Sequence, residues 1–125
     1  MGFDKGHKEF HSLDMNEGWH TPPGYPPGIQ QKIIAGALDE KARRGNRTRF
    51  LRFAPGVYTT KPFVHDYWEE VYLVEGDLTV GNDADGRGGE SFRAGTYACR
   101  PPGAAHGPFK SNGGCVLYEQ HYYAD

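Results

Sequence analysis

Short runs of mixed apolar and polar residues follow one another along the chain, and glycine or proline ends most of them. The clearest run is Glu69 to Glu75 (EEVYLVE), which is dense in the β-branched and aromatic residues that favour strands. No stretch carries a convincing helix pattern, so the chain is predicted to be all-β. Further strands are predicted over Lys32 to Leu38, Arg47 to Phe53, Leu78 to Gly81, Thr96 to Arg100, His106 to Lys110 and Cys115 to Tyr122.

The segments between these runs are predicted to be turns and loops. Gly76-Asp77 is expected to turn the best strand into Leu78 to Gly81, and Asn82 to Gly89 is expected to form a hairpin loop. Lys41 to Asn46 is a charged loop, and Ser111 to Gly114 is a strong turn signal. About eight short strands, spaced about 8–12 residues apart, predict a single-domain antiparallel jelly roll or small barrel.

The N-terminal part of the chain differs from the rest. Thr21 to Gly28 (TPPGYPPG) cannot be helical, because proline lacks an amide donor and restricts the residue before it. Residues 1–28 are therefore predicted to be an irregular arm and residues 29–125 the β-barrel. Four apolar arm residues could anchor the arm on the barrel wall or on a second subunit, and we expect a homodimer. They are Phe10, Leu13, Met15 and Trp19.

Composition narrows the functional classes. Eight Tyr, seven Phe and two Trp can build a core although aliphatic residues are scarce. The net charge of −2 offers no basic surface for nucleic acid. No apolar run reaches the roughly 20 residues of a membrane helix, and the first residues lack a signal-peptide pattern. Two cysteines do not make a disulfide scaffold, so a reducing, cytoplasmic setting is expected.

Three side chains form a candidate metal-binding set. His65 and Glu69 are four residues apart, so in an extended chain they share one face, and Glu70 points to the other. The intervening stretch is irregular, so Glu70 remains an alternative to Glu69. A Pro-Gly turn delivers His106 to the start of a strand. Two imidazoles and one carboxylate suit one divalent transition metal: Fe(II) or Zn first, with Mn, Ni or Cu as alternatives.

The segment around His106 resembles a motif of the cupin superfamily, the RmlC-like jelly rolls. It matches the core pattern G-x5-P-x-G-x2-H through Gly95, Pro101, Gly103 and His106. Lys110 stands where that motif ends in Asn. Together with the segment around His65, this resemblance covers roughly residues 47 to 122, and the combination is specific.

The segment around His65 resembles the other cupin motif, H-x-H-x3-E-x6-G. His65, Glu69 and Gly76 are in place, but Phe63 occupies the position of the first histidine. Three ligands in place of four would leave positions open for water or substrate, as in a catalytic site, or would weaken or abolish metal binding. His121, in the last predicted strand, could lie on the interior face and replace the missing ligand.

A closer similarity is to the cupin domain of zinc-dependent anti-sigma factors and related stand-alone proteins. It rests on RFAPG, EEVYLVEGDL, TYACRPPGAAHGPF and GGCVLYE, and on Trp19 in the arm. The resemblance implies a jelly roll with a metal in the barrel. We expect a metal-dependent enzyme of the dioxygenase, lyase or cyclase kind acting on a small, oxygen-rich organic substrate. A metal-sensing regulatory module and a metal-free small-ligand binder are the alternatives.

Other residues are candidates for the surroundings of the metal. Glu70 or Tyr97 could transfer protons, and Tyr67 and Tyr72 could line a substrate pocket, although aromatic residues in a small barrel more often form core. Arg100 could pair with a substrate carboxylate, and a surface salt bridge is at least as common for such a residue.

Overall fold

In the computed structural model, which describes residues 5–124, the chain folds into strands with no helix in that range. Ten strands follow in order: β1 (Trp19–His20), β2 (Ile29–Asp39), β3 (Arg44–Phe53), β4 (Phe63–Val64), β5 (Trp68–Val80), β6 (Glu90–Arg93), β7 (Tyr97–Arg100), β8 (Ala105–His106), β9 (Phe109–Lys110) and β10 (Cys115–Tyr122). No helix within the described range could therefore cross a membrane.

All strand pairs are antiparallel, and β5 connects the two halves of the main sheet. That sheet runs β1-β2-β3-β10-β5-β6, and β7 and β9 also pair with β5. The first half of β5 pairs with β10 and β7, and the second half pairs with β6 and β9. The strands β4 and β8 form a separate two-stranded ribbon. The result is the predicted all-β jelly roll, with its core inside the curled sheet.

Side chains at alternate positions fill the interior. In β10 every second residue from Cys115 to His121 is buried, and β3 buries Arg49, Leu51 and Phe53. This period of two places one face of each strand on the core. The buried apolar cluster consists of Ile29, Leu51, Phe53, Val71, Leu73, Leu78, Cys115 and Leu117.

The expected turn at Gly76-Asp77 is wrong, because β5 continues through it with a bulge. Leu117 pairs with Leu73 and Val116 with Glu75, so Val74 is skipped in the register. Before the bulge the core receives Val71 and Leu73, and beyond it the core receives Leu78. The bulge therefore moves the inward face from odd to even positions. One long strand can serve both halves of the barrel for this reason.

Several predicted boundaries also differ from the structure. The strand β2 begins at Ile29 and not at Lys32, and β3 begins at Arg44 inside the predicted charged loop. The predicted strand from His106 to Lys110 is divided into β8 and β9, because Pro108 between them offers no amide for a ladder. The polar strand β6 (ESFR) was not predicted, because it lacks an alternating apolar pattern.

Part of the arm is fixed on the barrel wall. Trp19 and His20 pair with Lys32 and Gln31 as an added edge strand. The guanidinium of Arg52 lies 3.9 Å from the centre of a Trp19 ring, a cation–π contact. Three of the four apolar arm residues are exposed: Phe10, Leu13 and Met15. The homodimer remains a prediction.

Gly76 is expected to be far more sensitive to substitution than Gly81. Both have φ of +87°, but a Cβ at Gly76 would lie 2.1 Å from the Gly114 oxygen, whereas one at Gly81 would meet nothing within 4 Å. Gly81→Ala should cost about 1 kcal/mol of unfolding free energy, from backbone strain alone. Gly76→Ala should cost about 3 kcal/mol, because the paired strands must also separate. Urea denaturation measures both, and equal losses would contradict this account of the bulge.

Candidate metal centre

His65, Glu69 and His106 come together at one end of the barrel. Their potential ligand atoms all lie within 4.8 Å of one another. Glu69 points inward from β5, His106 ends β8, and His65 follows β4. The ribbon sets this arrangement, because Phe63 of β4 pairs with His106 of β8. The Gly103 amide also donates a 2.8 Å hydrogen bond to the His65 carbonyl, which connects the Pro-Gly turn to His65.

His65 has a free nitrogen at this centre. Its Nε2 is buried and has no hydrogen-bond partner among the described residues. Burial lowers the pKa of His65 to about 4, so the imidazole is neutral near pH 7 and one ring nitrogen carries a lone pair. A buried polar atom without a partner is costly in a folded protein. A bound cation would remove that cost.

His106 presents an acceptor to the same space. Its Nδ1 lies 3.3 Å from the Ala104 carbonyl oxygen, which places the ring hydrogen there and leaves Nε2 with the lone pair. That Nε2 faces Oε1 of Glu69 at 3.3 Å. Burial lowers the pKa of His106, which favours the neutral ring. Two acceptors facing each other are unfavourable unless a cation lies near them.

His121 holds the other oxygen of Glu69. Its ring is fully buried, and Nε2 lies 2.8 Å from Glu69 Oε2. The Arg47 guanidinium donates to His121 Nδ1, at 2.7 Å from Nη2 and 3.1 Å from Nε. Because Nδ1 accepts, Nε2 carries the hydrogen and donates it to Glu69. In this arrangement His121 orients the carboxylate and is not a fourth ligand.

Glu69 remains ionised although it is only 3% exposed. Burial and the neighbouring Glu119 would raise its pKa, but the hydrogen bond that His121 donates to Glu69 lowers it. The pKa of Glu69 therefore lies below its ordinary value. An ionised carboxylate next to two neutral imidazoles is a donor set that divalent transition metals bind.

A second cluster of possible metal ligands lies deeper in the barrel. Glu69, Glu119 and His121 also have potential ligand atoms within 4.8 Å of one another. Glu119, however, already has a cation: Arg49 donates from Nε at 2.8 Å and from Nη2 at 2.7 Å. Burial would raise the pKa of Glu119, but the positive charge of Arg49 has the largest opposite effect, and the pKa lies below its ordinary value. This deeper group is therefore a closed ion-pair network, and the group with His65 is the better metal centre.

The fold agrees with comparisons to known proteins. The sequence profile of the ChrR cupin-like domain matches residues 16–124. The chain belongs to this cupin family. No curated protein sequence matches the chain significantly.

Solved structures similar to this cupin show the same fold. An RmlC-like cupin from Shewanella frigidimarina is 20% identical, with a TM-score of 0.65 over 94% of this chain and 93% of that chain. An acetylacetone dioxygenase from Acinetobacter johnsonii is 17% identical, with a TM-score of 0.66 over 100% of this chain and 83% of that chain. The polyketide cyclase RemF from Streptomyces resistomycificus is 17% identical, with a TM-score of 0.63 over 91% of this chain and 80% of that chain. At these identities the likeness establishes the cupin fold alone.

Phe63 lies in this cupin where the motif has its first histidine, next to both imidazoles. Its ring centre is 6.3 Å from that of His65 and 6.1 Å from that of His106. The Phe63 ring also stacks on that of Tyr25 in the arm, with the ring centres 4.9 Å apart. An apolar ring replaces a ligand here, and the arm supports it. Three protein ligands would therefore leave open positions on a bound metal.

Three predicted residues lie apart from the centre. Glu70 is on the opposite face of β5 from Glu69, and it accepts hydrogen bonds from the hydroxyls of Tyr97 at 2.6 Å and Tyr122 at 2.9 Å. Tyr72 is 46% exposed on that same outer face. The strand alternation that buries Glu69 sends Glu70 and Tyr72 outward. Their positions do not favour proton transfer by Glu70 or Tyr97, or a pocket role for Tyr72.

Tyr67 and Arg100 do adjoin the centre. Tyr67 is buried, and its ring stacks on His65 with a centroid distance of 4.6 Å. Arg100 of β7 pairs with Glu69 of β5, and its Nη1 lies 2.8 Å from Glu69 Oε1. Arg100 thus makes a partly buried ion pair inside the barrel. It does not make the surface salt bridge that the sequence offered as an alternative.

The sequence reasoning missed the buried network behind Glu69. Arg49 also donates to Gln31 at 2.7 Å, so the three polar side chains of Gln31, Arg49 and Glu119 meet in this part of the interior. The alternation of side chains along β10 could have indicated these buried polar residues. Glu119 and His121 share a face with Cys115 and Leu117, so two polar residues continue an apolar face.

Proposed function

We propose that this cupin is a metal-dependent enzyme that acts on a small, oxygen-rich organic substrate. His65, Glu69 and His106 would hold one divalent transition metal ion. The observation that carries the proposal is the buried His65 Nε2, which has no partner in the described chain and belongs to a group of three donors within 4.8 Å. Two imidazoles and a carboxylate with open positions fit Fe(II) or Zn first, and also Mn, Ni or Cu.

The chain's own residues would prepare the site in distinct ways. His121, held by Arg47, keeps Glu69 turned toward the two imidazoles. Phe63 and Tyr67 cover the imidazoles with apolar rings and limit the access of water. A bound metal would polarise a carbonyl or enolate oxygen of the substrate as a Lewis acid, or support oxygen chemistry if it is iron.

The similar structures support an enzymatic reading without deciding the reaction. One of them is an acetylacetone dioxygenase and another is a polyketide cyclase, so this fold hosts both kinds of chemistry. A fold does not determine an activity. The open positions left by Phe63 favour a substrate that binds through oxygen atoms.

A regulatory role is the second candidate. The matching family is that of the ChrR cupin-like domain, and a cupin that resembles an anti-sigma-factor domain could sense a metal or a ligand for a protein partner. The open metal positions left by Phe63 favour the enzyme over this candidate.

Metal content should depend on the proposed ligands. The protein isolated without chelators should contain about one equivalent of a transition metal, and His65→Ala or His106→Ala should retain less than about a tenth of it. His11→Ala is the matched control, since that ring is exposed in the arm and its Nδ1 lies 2.7 Å from the Glu9 carbonyl oxygen, away from the proposed centre. Elemental analysis of the four proteins measures this. Equal metal in all four, or none in the wild type, would contradict the centre.

Turnover separates the two candidate functions. The metal-loaded protein, screened with β-diketones, catechols and polyketide-like phenols, should consume at least one of them. His106→Ala should lose at least about a hundredfold in rate, because the metal is lost. Substrate loss is followed by chromatography, with oxygen uptake for the iron form. A metal-loaded protein that turns over none of them and captures a protein partner in a metal-dependent pull-down would favour the regulatory role instead.

A further inference from the structure

Arg100 lies where a cation is needed at Glu69. Its Nη1 is 2.8 Å from Glu69 Oε1, the same oxygen that faces His106 Nε2. Oε2 is already taken by His121, so Oε1 is the oxygen that a metal beside His106 would use. A guanidinium and a divalent cation compete for one carboxylate oxygen. Metal binding at this centre would therefore weaken the ion pair of Arg100.

Arg100 would then need another counter-charge. Its side chain is 19% exposed, and its guanidinium lies 5.6 Å from the centre of the Phe109 ring. The other acidic group nearby, Glu119, is committed to Arg49. A partly buried cation without a counter-charge is costly. An anionic group on a ligand would meet that need.

The space next to Arg100 is mostly apolar. A cavity of about 230 Å³ lies between the two halves of the barrel, with Arg100 and Thr96 among its lining residues. Its apolar walls include Leu73, Leu78 and Phe92. Arg100 also lines the smaller cavity that contains Glu69 and His106. It therefore lies at the boundary between the polar metal centre and an apolar compartment.

We propose that Arg100 recognises the anionic group of the ligand, and that the ligand is a small amphiphilic carboxylate or enolate whose hydrocarbon or aromatic part occupies the cavity between the sheets. This inference rests on the proposed metal centre and specifies its substrate class. Metal binding releases Arg100 from Glu69, and the anion then pairs with the freed guanidinium. The two binding events are thermodynamically coupled, so the anion must tighten metal binding by the same factor as the metal tightens anion binding.

The test measures zinc affinity by competition with a chromophoric chelator, with octanoate and acetate as probes. In the wild type, octanoate should tighten zinc binding by about tenfold, within the usual range of such coupling, and acetate should do so less because it leaves the cavity empty. Arg100→Gln should bind zinc more tightly than the wild type without octanoate, and octanoate should have no further effect. Arg93→Gln, at an exposed position of β6, is the matched control and should behave as wild type.

A second variant tests the apolar compartment separately. Ala98 of β7 lines the cavity, so Ala98→Trp should abolish the advantage of octanoate over acetate and leave the effect of acetate in place. Arg100→Lys, which keeps the charge, should retain part of the coupling. Near-ultraviolet circular dichroism confirms that each variant is folded.

The outcomes distinguish this inference from the proposed function. Absence of zinc binding by the wild type would overturn the metal centre and the inference with it. Zinc binding that octanoate does not tighten would overturn the inference alone. Tightening that persists in Arg100→Gln would also overturn it, because the carboxylate would then act without the guanidinium.

Discussion

A charged carboxylate inside an apolar barrel is the constraint around which the centre of this cupin is organised. Glu69 is almost completely buried, yet its pKa lies below the ordinary value. Each of its oxygens is held by a named donor: His121 on Oε2 and Arg100 on Oε1. Behind them, the buried pair of Arg49 and Glu119 balances its own charges. The interior therefore tolerates Glu69 because several polar side chains surround it in a fixed geometry.

That geometry depends on the path of one strand. The first half of β5 presents Glu69 to the interior, and the second half reaches the other side of the barrel only because of the bulge before Gly76. Inward-facing positions are odd-numbered before the bulge and even-numbered after it, so Leu73 and Leu78 both face the core. The ribbon of β4 and β8 then brings the two imidazoles to Glu69. The core and the centre are thus consequences of the same strand alternation.

Strand alternation also explains how far the sequence predicted the site. His65 and Glu69 are four residues apart, and the Pro-Gly turn precedes His106, so their meeting could be anticipated. Parity favoured Glu69 over Glu70 as the inward carboxylate, although the irregular stretch after His65 kept Glu70 as an alternative. The all-β class followed from short runs punctuated by glycine and proline, and the resemblance to the cupins implied the jelly roll. These features are local, and local rules are sufficient for them.

Features that depend on contacts between distant strands escaped prediction. The partners of Glu69 lie far away in sequence, in β7 and β10, and no local pattern pairs Arg100 or His121 with that carboxylate. The bulge was read as a turn, because glycine with a positive φ serves both structures. Tyr25, which supports Phe63, lies in the proline-rich arm that was expected to be irregular. Tertiary pairing determines each of these contacts.

The most direct test of the centre is anomalous diffraction from a zinc-loaded crystal, recorded at the zinc edge. The account predicts one strong peak at about 2.0–2.2 Å from a nitrogen of His65, a nitrogen of His106 and an oxygen of Glu69. A peak between Glu69, Glu119 and His121, or zinc bound only by the surface histidines of the arm, would contradict it.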